Sequence, residues 1–137
     1  MRQPTTFFVL AGLAAVAGAQ PATHSVDVRL DYDKGDKLCF VASVNPMSFD
    51  ADPGDKVDWK ATDASGQCGG RVVKLANFKL KGSGAAKDPV PGCGKDMTSG
   101  GPALRCTINN AARGETFKYD VELAGGRGMD PEIRVRN

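Results

Sequence analysis

Histidine is nearly missing from this chain, which has one imidazole, His24, in 137 residues. A single imidazole excludes the multi-histidine sites of catalytic zinc and blue copper, and His24 next to Ser25 close to the N-terminus is a poor general base in a segment expected to fray. No Gly-x-Ser-x-Gly elbow, Walker loop or strand-linked Gly-rich dinucleotide turn occurs, so the motif-borne hydrolase and nucleotide chemistries have no anchor. Gly82-Ser83-Gly84 and Ser99-Gly100-Gly101 are loop glycines. Runs of one charge sign are missing as well. Asp27, Arg29, Asp31 and Lys34 alternate in sign, and the formal net charge is only +2. That balance argues against a nucleic-acid partner or an anionic lipid surface. Amphipathic helical periodicity is absent too, and no apolar stretch approaches the roughly 20 residues of a bilayer span.

What is present begins with an export leader. Arg2 is followed by the apolar run Phe7 to Val16 and by Ala17-Gly18-Ala19 before Gln20. This charged, apolar, small-residue order predicts a signal peptide over residues 1–19 and a secreted or periplasmic domain over residues 20–137, with no membrane span in the mature chain. Arg2 is the leader's one charged residue, so its removal leaves a net charge of about +1. Four cysteines, Cys39, Cys68, Cys93 and Cys106, fit such a compartment as two disulfides. None of their spacings is Cys-x-x-Cys, which disfavours a zinc site. Three pairings are open.

Period-two alternation runs through the rest. Val26, Val28, Leu30 and Tyr32 alternate with charged residues and predict a first strand, turned by Asp33-Lys34-Gly35-Asp36. Leu38 to Val44 is a second strand, stopped by Asn45-Pro46. An extended piece around Phe49 leads to the turn Asp52-Pro53-Gly54-Asp55, and Val57, Trp59 and Ala61 follow, with the only tryptophan as a core anchor. Arg71 to Leu80 is a strand whose apolar phase slips between Leu75 and Phe78, as a bulge or a change of sheet would make it. Lys81 to Pro102 has no period and is expected to be a long loop tied by Cys93, with room for one helical turn. Leu104, Cys106 and Ile108 alternate before the turn at Asn109-Asn110. Phe117, Tyr119, Val121 and Leu123 make the clearest strand, Gly125 to Gly128 breaks it, and Ile133 and Val135 close the domain. The fold class is therefore all-β, an antiparallel Greek-key sandwich of about seven or eight strands in one domain.

The stretch from Val26 through Asp63, VDVRLDYDKGDKLCFVASVNPMSFDADPGDKVDWKATD, resembles the N-terminal half of a plastocyanin-like cupredoxin. That family has a first strand, a Leu-x-Phe second strand, an extended segment, a Pro-Gly-Asp-type turn and a Val-x-Trp/Phe strand in this order. GETFKYDVELAGGRGMDPEIRV resembles its last hairpin, with Met129 just before the final strand. Together the two stretches cover about half of the mature chain. The resemblance implies a cupredoxin-like sandwich, but the copper ligands are missing. Ser65-Gly66-Gln67-Cys68-Gly69 stand after the third strand where a histidine belongs, and residues 124–130 carry no Cys or His, leaving only Met129 as a weak axial candidate. Mapping on the family also places Cys39 and Cys68 at the end where copper would lie, which implies Cys39 with Cys68 and Cys93 with Cys106.

Two functions from different classes follow. The first is an exported non-catalytic binding or structural module, with no catalytic residues, metal or cofactor, that presents Lys81 to Pro102 and the tip near Cys68 to an unknown protein or envelope component. The alternative is a copper-binding or electron-transfer protein using His24 and Met129, with Met47 and Met97, in an unconventional site. Protease inhibition by a tethered loop is a third reading that no loop residue singles out. The carboxylate pairs Asp50 with Asp52 and Asp130 with Glu132 are too ordinary to nominate a glycosidase. Asp50, Asp52 and Asp55 lack EF-hand spacing, and Pro53 makes them a turn rather than a calcium loop.

Overall fold

A computed structural model describes residues 20–124 and 128–137. The leader expected over residues 1–19 and most of the break at residues 125–128 lie outside the described residues. The strands are β1 (Thr23–Asp33), β2 (Leu38–Asn45), β3 (Ser48–Ala51), β4 (Lys56–Asp63), β5 (Val72–Leu80), β6 (Asp96–Thr98), β7 (Leu104–Thr107), β8 (Thr116–Leu123) and β9 (Glu132–Val135). Among the described residues there is a single 3-10 turn, Asn110–Ala112, capped by the Asn109 side chain. Among the described residues no helix is long and apolar enough to cross a membrane.

Two sheets form a β-sandwich, one ordered β2-β1-β4-β7 and the other β3-β9-β8-β5-β6. The alternating residues fill the space between them. Val26, Val28, Leu30, Val57, Trp59, Ala61, Phe117, Tyr119, Val121, Leu123, Ile133 and Val135 are all buried, while their charged neighbours face water. At the centre, Trp59 Nε1 donates to Tyr119 Oη at 3.1 Å. The two rings meet edge to face, and Phe78 stacks on Tyr119 with centroids 4.9 Å apart. Burial of the polar tips is thus offset by their mutual bond.

The sheets are mixed, not purely antiparallel as expected. β4 runs parallel to β1, with Val26 opposite Trp59, and β9 runs parallel to β3, with Phe49 opposite Ile133. Between β2 and β4 the chain crosses to the second sheet as β3 and returns on the far side of β1. Period-two alternation sets which face is buried but carries no information on strand direction.

The phase slip in β5 is a bulge. Ala76 pairs with Asp120 and Lys79 with Lys118, so two residues oppose one, and Asn77 takes the left-handed φ of 55°. An asparagine tolerates that conformation better than most side chains.

The segment Lys81 to Pro102 is less loop-like than expected. It contains β6, which pairs with the start of β5 and buries Met97 between exposed Asp96 and Thr98. One buried residue makes no visible period. The 3-10 turn falls later, at Asn110–Ala112. Val90 is fully buried, Lys87 N donates to Phe78 O, Leu75 N to Lys95 O, and Asn109 N to Pro89 O. Lys95 Nζ is held by the carbonyls of Val90 and Cys93 and by Asp88. The bond Cys93–Cys106, with Cα atoms 5.5 Å apart, ties this strap to β7. The other disulfide, Cys39–Cys68 with Cα atoms 5.8 Å apart, joins β2 to the loop after β4. Both pairings are those that the cupredoxin resemblance implies.

Candidate functional site

The fraying expected around His24 does not occur. His24 lies inside β1 opposite Val57, its ring stacks on Phe49 at 5.1 Å, and Nε2 is 2.8 Å from Asp55 Oδ2. Asp55 is only 3% exposed. It also accepts from the amides of Ala22 at 3.0 Å and Asp52 at 2.9 Å. Burial pushes the Asp55 carboxyl up, but the bonds from Asp52, His24 and Ala22 outweigh it and hold the group below the usual carboxylate range. The strand therefore extends three residues N-terminal to Val26, because a buried carboxylate from the turn before β4 gathers the donors of its first residues. Sequence reasoning missed this role for Asp55. The signal was a carboxylate closing a Pro-Gly turn, three residues after another acid.

The other acids of that turn have separate partners. Asp52 meets Arg136 at 2.8 Å and Asp50 meets Arg134 at 2.6 Å, so no calcium-loop arrangement forms. Asp130 lies 3.7 Å from Lys118, and Glu132 lies 3.1 Å from Lys81. Among the described residues no three His, Cys, Asp or Glu side chains converge as metal ligands.

His24 and Met129 are not brought together. His24 lies against Phe49, which pairs with Ile133, whereas Ile133 and Met129 are held opposite Phe117 and Val121, four residues apart along β8. At the strand rise that is roughly 13 Å. Met129 instead pairs with Val121, exchanging backbone bonds of 2.8 and 3.2 Å. Met97 is buried against β5 and Met47 is exposed. All four cysteine sulfurs are in disulfides, so no thiolate is present.

At the other end of the sandwich Asp63 organises the Cys68 tip. Burial raises its pKa, but the Ser65 hydroxyl and the amides of Cys68, Ser65 and Gly66 more than compensate and hold it low. Ser99 Oγ donates to Cys68 O at 2.9 Å.

Next to this tip is a cleft of about 670 Å³, lined by the start of β5, the end of β8 and the segment Gly128 to Asp130. Val72, at 48% exposure, is one of three exposed large apolar side chains among the described residues. Half-buried Met129 supplies the rest of an apolar wall. The rim is acidic. Alternation along β8 turns Asp120 and Glu122 outward, Asp130 joins them, and among the described residues Lys74 is the one cation in the lining. Asn77, placed by the bulge, donates from Nδ2 to Asp120 Oδ2 at 2.8 Å and to Glu122 Oε1 at 3.4 Å. An apolar wall with fixed polar groups at its margin is the usual make-up of a recognition cleft. Its signal in the sequence was the exposed Val72 and the acid pair on β8, but both read as ordinary alternation.

No protein-family model matches the chain, and no curated protein matches its sequence.

Proposed function

We propose that the chain is an exported, non-catalytic binding module on a cupredoxin-like scaffold, and that it recognises a protein or envelope component through the cleft beside Met129. The observation that carries this reading is the cleft itself: 670 Å³ with an apolar wall of Val72 and Met129 and a rim of Asp120, Glu122 and Asp130. Such a surface suits a partner that offers an apolar group bordered by positive charge. Export is supported by the leader-like composition of residues 1–19 together with the two disulfides. The cupredoxin-like assignment is supported by the order of elements, including the short extended strand β3 between β2 and β4. The groups that would have to do chemistry are engaged otherwise, His24 in holding Asp55 and the cysteines in bonding one another.

The strap from Lys81 to Pro102 now has a structural role, so the recognition surface moves from that segment to the cleft. The test is capture from the secreted and envelope fractions of the source cells, run in parallel with the wild type and a Val72→Asp, Met129→Asp variant, with elemental analysis of both. A partner captured by the wild type and lost by a normally folded variant is expected, with no stoichiometric metal. Equal capture by both proteins, or one tightly held copper per chain, overturns the reading.

A further inference from the structure

Val121 of β8, in the lining of the cleft, is paired on both sides, with Leu75 of β5 and with Met129. A partner's main chain finds no open strand edge there, so side chains must carry the recognition. Which side chain fits is set by the charges on the rim.

Asp120 and Glu122 are neighbours on the outward row of β8. Asn77 Nδ2 donates to Asp120 Oδ2 at 2.8 Å and to Glu122 Oε1 at 3.4 Å, and one nitrogen bonded to both keeps the two carboxylates within reach of a single cationic group. The amide supplies donors but no charge. Cations beside the pair are few. In the sheet register Lys74 lies between Glu122 and Asp96, while Asp120 is opposite Ala76. Asp130 has Lys118 at 3.7 Å, a long ion pair, and 70% of its side chain is exposed. Among the described residues the lining therefore carries three carboxylates against one cation.

These acids do not suit a metal ion, since no three His, Cys, Asp or Glu side chains converge among the described residues. They border an apolar wall instead, with Val72 at 48% exposure and half-buried Met129. A compact, strongly hydrated ion gains nothing from such a wall. Its complement is a broad, weakly hydrated cation on an apolar stem, which is the description of an arginine side chain.

We infer that the occupant of the cleft is an arginine side chain on an exposed segment of the partner protein, its stem against Val72 and Met129 and its guanidinium donating to Asp120 and Glu122. Asp130 adds negative charge at the rim. The inference rests on the reading that the cleft is the recognition surface, and it adds which side chain the partner must present. A guanidinium has five donors in one plane, so it can bond both carboxylates at once. A lysine ammonium is a point charge with a tighter water shell and gains less from this site. The volume of about 670 Å³ is that of a small-ligand pocket, with room for the residues that flank the arginine.

The test is a titration of the isotope-labelled exported protein, followed by backbone amide chemical shifts, with the amides of N-acetyl-arginine, N-acetyl-citrulline, N-acetyl-lysine and N-acetyl-norleucine as probes. Citrulline has the shape of arginine without its charge. The arginine probe is expected to shift Val72, Lys74, Asp120 and Glu122 saturably, with a Kd on the order of 1 mM for a ligand of this size. The citrulline and lysine probes should bind about tenfold more weakly or worse. Asp120→Asn combined with Glu122→Gln keeps acceptors for Asn77 and removes both charges. This variant should bind the arginine probe about tenfold more weakly, with amide shifts away from the cleft unchanged. A citrulline or lysine probe as tight as arginine, a tighter norleucine probe, or full binding by the double variant overturns the arginine inference and leaves the cleft as the recognition surface. No saturable shift at about 100 mM arginine probe also overturns it, and capture with the Val72→Asp, Met129→Asp variant then decides the cleft separately.

Discussion

Replacing Tyr119 by Phe removes one oxygen from the centre of the sandwich, and its effect can be worked out from two bonded groups. Trp59 and Tyr119 are both fully buried, and the indole N–H has the phenolic oxygen as its acceptor at 3.1 Å. Tyr119→Phe keeps the ring, the stack on Phe78 and the edge contact with Trp59. It strands a buried donor. An unsatisfied buried N–H costs about 1–3 kcal/mol, so the expected loss is about 2 kcal/mol, or roughly 8 °C in melting temperature for a domain of this size. The assay is urea unfolding followed by far-ultraviolet circular dichroism, with a double-mutant cycle adding Trp59→Phe to separate the bond from the cavity that the smaller ring leaves. The cycle should show coupling of about 1 kcal/mol. The same substitution changes the alkaline limb of stability. Burial pushes the Tyr119 phenol up to about 12, against the smaller opposite effect of the Trp59 bond. A folded pKa above the unfolded value of about 10 means that this contribution is complete below pH 10 and fades as pH rises toward 12, an effect on the order of 2–3 kcal/mol. Tyr119→Phe should lack that decline. A variant within about 0.5 kcal/mol of the wild type, or one with the same alkaline loss, refutes the reasoning.

Three further outcomes are expected. Asp55→Ala releases the donors of Ala22, Asp52 and His24 and should cost about 3 kcal/mol, with native-state hydrogen exchange accelerated first at Thr23 to Val26. Because the folded pKa of Asp55 lies below its unfolded value, its contribution is present above about pH 4 and is lost as pH falls through the folded pKa, so acid unfolding of the wild type should be steeper than that of Asp55→Asn. The two disulfides close segments with sequence separations of 29 and 13. Chain entropy therefore predicts that Cys39→Ala with Cys68→Ala costs about 0.7 kcal/mol more than Cys93→Ala with Cys106→Ala, measurable by denaturant unfolding of the two double variants.

The domain's core was legible because alternation is a local property. Val26 to Tyr32, Val57 to Ala61 and Phe117 to Leu123 each state in the order of their residues which side faces water, and the burial pattern follows them almost without exception. The slip between Leu75 and Phe78 was legible as well, since an inserted residue shifts a period of two at once. Direction was not. The parallel pairings of β1 with β4 and β3 with β9 depend on the crossing of β3 into the second sheet, and no residue marks that step by its type.

The site divides in the same way. The sequence by itself determined that the sulfurs would be bonded and that one imidazole would have to suffice, because both follow from composition. Only the tertiary structure decided what His24 does. Its partner Asp55 is 31 residues away, and it is the parallel register of β1 on β4 that sets the imidazole over the buried carboxylate. The cleft likewise joins Val72, Glu122 and Met129, far apart in the chain, through the pairing of β5 with β8 and of Val121 with Met129. Composition and period are sums over neighbours along the chain. A recognition surface is made by neighbours across it, and those exist only once the sheets have closed.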